Sequence, residues 1–119
     1  MKNILLSLLV ALFIVGCGNK EDDTANTNVT GVEAREMIAE GALLLDVRTQ
    51  EEYDEGHIEG ATLLSLDDIN LVNMEELVDT KDTVIIVYCR SGNRSGQALT
   101  KLQKLGYTNV YDLGTINNW

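Results

Sequence analysis

The chain has no proline, one histidine, one tryptophan, one phenylalanine and two cysteines among its 119 residues. Without proline, the breaks between elements have to be read from its ten glycines. One histidine and scattered acids give no cluster with metal-ligand spacing, so no metal is expected. No glycine-rich nucleotide loop is present, and no cofactor is expected either. Positive charge is scarce: nine Lys and Arg stand against 19 Asp and Glu, a formal charge of -10. Nucleic acid needs a basic face, which excludes it as an expected partner. Such an acidic surface repels small anions on average, so an anionic substrate requires a local cluster of positive charge. Arg90 and Arg94 are the candidates. The length suits one domain.

What the chain does have begins with an apolar run. Lys2 is followed by mostly apolar residues from 4 to 15, too few for a membrane span of roughly 20 residues but suited to the apolar core of a signal peptide. The run ends in Ile14-Val15-Gly16-Cys17, which resembles the lipobox of bacterial lipoproteins. That resemblance implies that residues 1–16 are a signal peptide, removed ahead of a lipidated Cys17. It places the protein outside the cytoplasm, anchored to the bacterial cell membrane. Acyl chains on Cys17 would hold it there, each buried methylene contributing ~0.8 kcal/mol. Residues 17–28 are polar without apolar period and read as the lipidated cysteine and a flexible tether. A lipidated Cys17 leaves Cys89 without a disulfide partner in its own chain, and an exported free thiol is a reactive candidate.

Residues 29–119 alternate strand and helix signals. Val29 reads as the end of a short first strand. Thr30-Gly31-Val32-Glu33 has capping-box spacing for a helix running to about Glu40 and stopping at Gly41. Residues 43–47 are a continuous apolar run broken only by Asp46, the pattern of a strand buried on both faces of a parallel sheet. Thr49 and Glu52 repeat the capping box, for a brief helix ending near Gly56. Residues 61–64 are a third strand candidate, and 65–78 two short helices. Residues 83–88 form the most apolar strand. Ala98, Leu102 and Leu105 put one apolar face on a helix over 97–105, with Gly106 as its stop. Residues 109–113 are the last strand, and Gly114 is expected to turn the chain away. Such alternation specifies an α/β sandwich with a mostly parallel sheet, whose ligands lie beyond the carboxyl ends of the strands.

Cys89 stands at such an end. Ser91, Gly92, Ser95 and Gly96 are small, so the backbone after Cys89 can curl with its N–H groups inward. The N-terminus of the following helix and the two arginines favour a thiolate there and form a cradle for an anion. A cysteine in such surroundings is poorly explained as a mere small core residue.

The stretch Cys89-Arg90-Ser91-Gly92-Asn93-Arg94-Ser95 resembles the active loop of single-domain rhodaneses, the thiosulfate sulfurtransferases. Asp46-Val47-Arg48, Glu52-Tyr53, Gly56-His57-Ile58-Glu59-Gly60-Ala61 and Leu113-Gly114 with Trp119 resemble further parts of that family, so the likeness spans residues 29–119. Glu59 departs from the family's usual proline, and Thr115 from a frequent second glycine. The resemblance implies a rhodanese-like three-layer sandwich with a central, mostly parallel five-stranded sheet. It implies that Cys89 takes a sulfane sulfur from thiosulfate or a similar small anionic donor and passes it to cyanide or a thiol. Arg90, Ser91, Gly92, Asn93, Arg94 and Ser95 would bind the substrate, by backbone amides and by the two arginines. Asp46 and Arg48 are expected as buried support at the strand end, with Glu52 as partner of Arg48, and His57 as a structural residue. The chain is expected to act as a monomer.

Phosphatases that share this fold need Cys-x5-Arg to wrap a phosphate. Here the sixth position after Cys89 is Ser95 and Arg94 falls one short, which favours sulfur over phosphate. A persulfide carrier or thiol-redox partner remains open as the alternative to an enzyme, since both use the same residues. A non-catalytic binding module is disfavoured by the presence of Cys89.

Overall fold

The computed structural model describes residues 27–119. The signal-peptide and Cys17 lipidation expectations, and most of the tether, lie outside the described residues. Four strands form one parallel sheet in the order β2-β1-β3-β4. In chain order the elements are α1 (Gly31–Ala39), β1 (Leu43–Asp46), α2 (Gln50–Glu55), β2 (Thr62–Leu63), a 3-10 turn (Leu66–Asp68), α3 (Leu71–Leu77), β3 (Ile85–Cys89), α4 (Asn93–Lys104), β4 (Val110–Thr115) and a closing 3-10 turn (Ile116–Asn118).

The capping boxes form as the sequence requires. Thr30 and Glu33 exchange side-chain-to-backbone bonds ahead of α1, and Thr49 and Glu52 do so ahead of α2. The expected pair of short helices over 65–78 is present as the first 3-10 turn and α3, the latter capped by the Asn70 side chain.

The sheet has apolar residues on both faces. On one, Leu45, Val47, Ile85, Val87 and Cys89 meet Ile69, Met74, Ala98 and Leu102 from the α3 and α4 side. On the other, Leu44, Ile86, Tyr88 and Leu113 meet Ala34 and Ile58, with Met37 and Tyr53 packed alongside from α1 and α2. Helices therefore cover both faces, giving three layers. Strand β3 lies between β1 and β4, and all five of its residues are buried.

Three expectations need correction. Among the described residues the sheet has four strands rather than five: residues 27–30, ahead of α1, contribute an isolated bridge, Asn28 to Asp112. Two bonds make that bridge: Val29 N donates to Asp112 O at 3.0 Å, and Thr27 O accepts from Asp112 N at 2.8 Å. Gly114 does not turn the chain away; it lies inside β4 at a bulge, where Val87 pairs Asp112 and Tyr88 pairs Gly114. Its φ of 86° needs glycine, and its N–H donates to Asp112 Oδ1 at 2.8 Å. The helix expected from Gln97 begins four residues earlier, at Asn93.

Candidate functional site

Strand β3 ends at Cys89, and only Arg90, Ser91 and Gly92 separate it from α4. So tight a reversal needs a left-handed residue, and Gly92 supplies it with φ 98° and ψ -12°. Gly92 has no side chain with which to cap the helix. The first N–H groups of a helix have no partner within it. Cys89 Sγ fills that need, accepting from Ser95 N at 3.3 Å and from Gly92 N at 2.9 Å. The sulfur thus stands where a capping oxygen would stand, and a negative charge on it is favoured for the same reason. The polar first turn, Asn93 to Gly96, carries no apolar period, which is why the helix start was invisible in the sequence.

Cys89 is fully buried, and among the described residues it is a free thiol. Burial alone pushes this thiol up. The Ser95 amide and hydroxyl, then the amides of Gly92 and Ser91, act against it, and the net result lies below the ordinary thiol value. In the observed geometry the Ser95 hydroxyl donates to the Gly92 carbonyl at 3.1 Å, so the amides are the donors that carry this effect.

The six residues expected around the substrate are thus brought together on one turn and the start of one helix, but they differ in what they present. Gly92 and Ser95 aim amides at the sulfur, while Asn93 uses its side chain to accept from Gln97 Nε2. The Arg90 side chain is 72% exposed. Arg94 is engaged: its guanidinium donates to both oxygens of Glu52, at 2.7 and 3.0 Å.

That pairing corrects the expected one between Arg48 and Glu52. Arg48 instead binds Asp46, with Nε 2.9 Å from Oδ1 and Nη2 2.7 Å from Oδ2, and Nη2 also donates to Gly56 O at 2.7 Å. Residues two apart on an extended segment fall on the same side, which puts these two ends together. The fully buried Asp46 further accepts the Tyr88 hydroxyl at 2.6 Å, and Tyr88 accepts the Ile58 N–H at 3.1 Å. Burial and the Asp46 carboxylate both push the Tyr88 phenol up, so it stays protonated and keeps donating. Neither Tyr88 nor Glu52 was assigned to the site from sequence. A lone phenol ending an otherwise aliphatic strand was the available signal for Tyr88. His57 stacks on Tyr53 with ring centroids 3.7 Å apart and planes 4° from parallel, away from the sulfur's hydrogen bonds.

A profile of the rhodanese-like domain matches residues 30–119. The chain belongs to the rhodanese-like domain family. It is 36% identical to thiosulfate sulfurtransferase PspE of Escherichia coli (strain K12) over 74 residues, 62% of this chain and 70% of that protein. It is 35% identical to thiosulfate sulfurtransferase GlpE of Pseudomonas fluorescens (strain SBW25) over 80 residues, 67% and 71% of the two. Against the probable adenylyltransferase/sulfurtransferase MoeZ of Mycobacterium tuberculosis (strain ATCC 25618 / H37Rv) it is 34% identical over 112 residues, but spans only 28% of that protein. Among solved structures, a rhodanese with anions from E. coli superposes with a TM-score of 0.63 at 32% identity, covering 66% of this chain and 92% of that one. The human single-domain sulfurtransferase TSTD1 superposes with a TM-score of 0.64 at 25% identity, covering 78% and 91%. The rhodanese fold of this chain thus has its parallel sheet, its two helical layers and a cysteine at the carboxyl end of a central strand.

Proposed function

We propose that the protein is a rhodanese-type sulfurtransferase that carries sulfane sulfur on Cys89. The observation that carries this reading is the sulfur's position as acceptor of the Gly92 and Ser95 amides at the start of α4. In the first step the Cys89 thiolate attacks the outer sulfur of thiosulfate. A Cys–S bond to that sulfur forms, the bond to the SO3 group breaks, and its electron pair leaves on sulfite. The product is a Cys89 persulfide anion, held by the same amides as an oxyanion would be. In the second step cyanide or a thiolate attacks the outer sulfur, and the electron pair returns to Cys89. No proton has to move on the enzyme when the acceptor arrives as an anion, which leaves no role for His57 as a base. Arg90, exposed beside the turn, is the first cation that a small anionic donor meets, and Arg94 the second.

Purified protein should form thiocyanate from thiosulfate and cyanide, and Cys89→Ser should abolish it. A second reading, a persulfide carrier served by another protein, uses the same residues. Sulfur loading without repeated turnover would select that reading. Anchoring through a lipidated Cys17, outside the cytoplasm, belongs to the same proposal and rests on the lipobox resemblance alone. Acyl label that persists in Cys17→Ala would overturn it.

A further inference from the structure

Glu52 has more partners than its capping role requires. Its Oε1 accepts the Thr49 amide at 3.0 Å and the Thr49 hydroxyl at 3.1 Å, which completes the cap of α2. The same carboxylate forks onto Arg94, and its Oε2 lies 3.8 Å from Arg90 Nη1. Only 17% of its side chain is exposed. The Arg94 hydrogen bonds, then the Thr49 amide, hold its carboxyl at about 2, so it is charged at any physiological pH. Arg94 immediately precedes Ser95, whose amide donates to Cys89 Sγ at 3.3 Å, so the guanidinium is carried by the same first turn of α4 that holds the sulfur.

The two members of the pair face different clefts. Glu52 lines one of about 290 Å³ with Arg90, Glu55 and Asn117. Arg94 lines a smaller one of about 100 Å³ with Thr49, Ser65 and Asp67. A planar guanidinium fork presents the same two donors to a carboxylate as to the oxygens of a sulfonate. An anion in the larger cleft therefore meets the Glu52 carboxylate, which repels it, and reaches Arg94 only past that carboxylate.

We propose that Glu52 is a built-in competitor anion: a donor reaches Cys89 by exchanging its own oxyanion group for the Glu52 carboxylate on Arg94. Glu52 is then a positioning and specificity residue. It keeps weakly paired anions such as chloride off Arg94, and it admits donors whose doubly charged, multi-oxygen end outbids a carboxylate. The identity of the donor as thiosulfate-like rests on the sulfur-transfer reading; the exchange itself does not.

The test is the ratio of Cys89 alkylation rates by iodoacetate, an anion, and iodoacetamide, its neutral analogue, read by mass spectrometry on the Cys89 peptide. Glu52→Gln keeps the size and the capping acceptor, since Gln also completes a capping box, and removes the charge together with one of the two oxygens that accept from Arg94. It should raise the iodoacetate-to-iodoacetamide ratio by more than the about fivefold that removal of one unit charge at about 4 Å in water gives by itself, because Arg94 is released as well. In an Arg94→Gln background the same substitution should give no more than that direct effect of about fivefold, because there is no guanidinium to release. An unchanged ratio in the single variant overturns the proposal, and so does an equal gain in both backgrounds. A change in the thiol's own acidity cancels in the ratio, and a merely structural role would slow both reagents alike. Should Glu52→Gln fail to fold, thiosulfate added to Cys89→Ser should shift the Arg94 Nη–H resonances as their partner changes, and unmoved resonances overturn the exchange. Neither alkylating reagent needs sulfur transfer, so a protein that takes no sulfur from thiosulfate would still report on Glu52.

Discussion

Replacement of Asp46 by alanine removes the acceptor on which the end of β1 and the end of β3 converge. Asp46 has no exposed surface and accepts the Arg48 backbone N–H at 3.0 Å, the Arg48 guanidinium and the Tyr88 hydroxyl. In the variant, the Arg48 guanidinium, whose side chain is 7% exposed, would be left without its counter-charge. Breaking one side of a buried ion pair costs about 3–5 kcal/mol, because the remaining charge stays desolvated. The Tyr88 hydroxyl also loses its acceptor, worth about 1–3 kcal/mol on its own, although in one network the two losses overlap. A total near 4 kcal/mol is a large part of the roughly 5–15 kcal/mol that holds a domain together. Asp46→Asn should cost less, because the amide oxygen still accepts. Urea unfolding followed by far-ultraviolet circular dichroism measures this, and with a slope of about 1–3 kcal/mol per molar the midpoint for Asp46→Ala should fall by about 2 M. Tyr88→Phe should cost about 1–2 kcal/mol in the parent and much less in the Asp46→Ala background. A loss below about 1 kcal/mol in Asp46→Ala would mean that Arg48 is not left as an uncompensated buried charge.

Gly92→Ala forces a Cβ onto a residue with φ 98°, which costs about 1–2 kcal/mol and displaces the Gly92 amide from the sulfur. Thermal melting should show the loss, and sulfur loading at neutral pH should slow; a variant with unchanged melting and loading would contradict the turn's role. The Cys89 thiol lies below the ordinary value, so its thiolate forms at lower pH than that of an unstructured cysteine. As pH falls through the ordinary thiol range, iodoacetamide should keep reacting with Cys89 after a reference cysteine peptide has gone quiet. A midpoint equal to or above that of the peptide would contradict the amide arrangement. Ser95→Ala keeps the amide that donates to sulfur, so it should move this midpoint less than Gly92→Ala does.

Most of the element order was legible because it rests on local signals: two capping boxes, a continuous apolar β3, and an apolar stripe on α4. The position of Cys89 was legible for the same reason. What escaped was decided by contacts distant in sequence. The first turn of α4 reads as loop because its N–H groups are satisfied by a sulfur on β3, not by a capping side chain of their own. Gly114 reads as a chain turn because a bulge opposite Tyr88 depends on a partner strand. Glu52 was assigned to Arg48 on nearness in sequence, whereas its fork goes to Arg94, 42 positions away. Asp46, two residues from Arg48, closes that pair instead. Residues close in sequence were correctly sensed as partners of one another only where the backbone geometry was local.

If Cys89 accepts sulfur from a small anionic sulfane donor, the intact mass of the protein after exposure to thiosulfate registers it. One added sulfur atom, about 32 Da, should appear on the peptide that contains Cys89, with sulfite released in equal amount. Cyanide should remove it as thiocyanate, and Cys89→Ser should gain nothing. A wild-type protein that gains no sulfur, or gains it equally in Cys89→Ser, would show that Cys89 is not the sulfur acceptor.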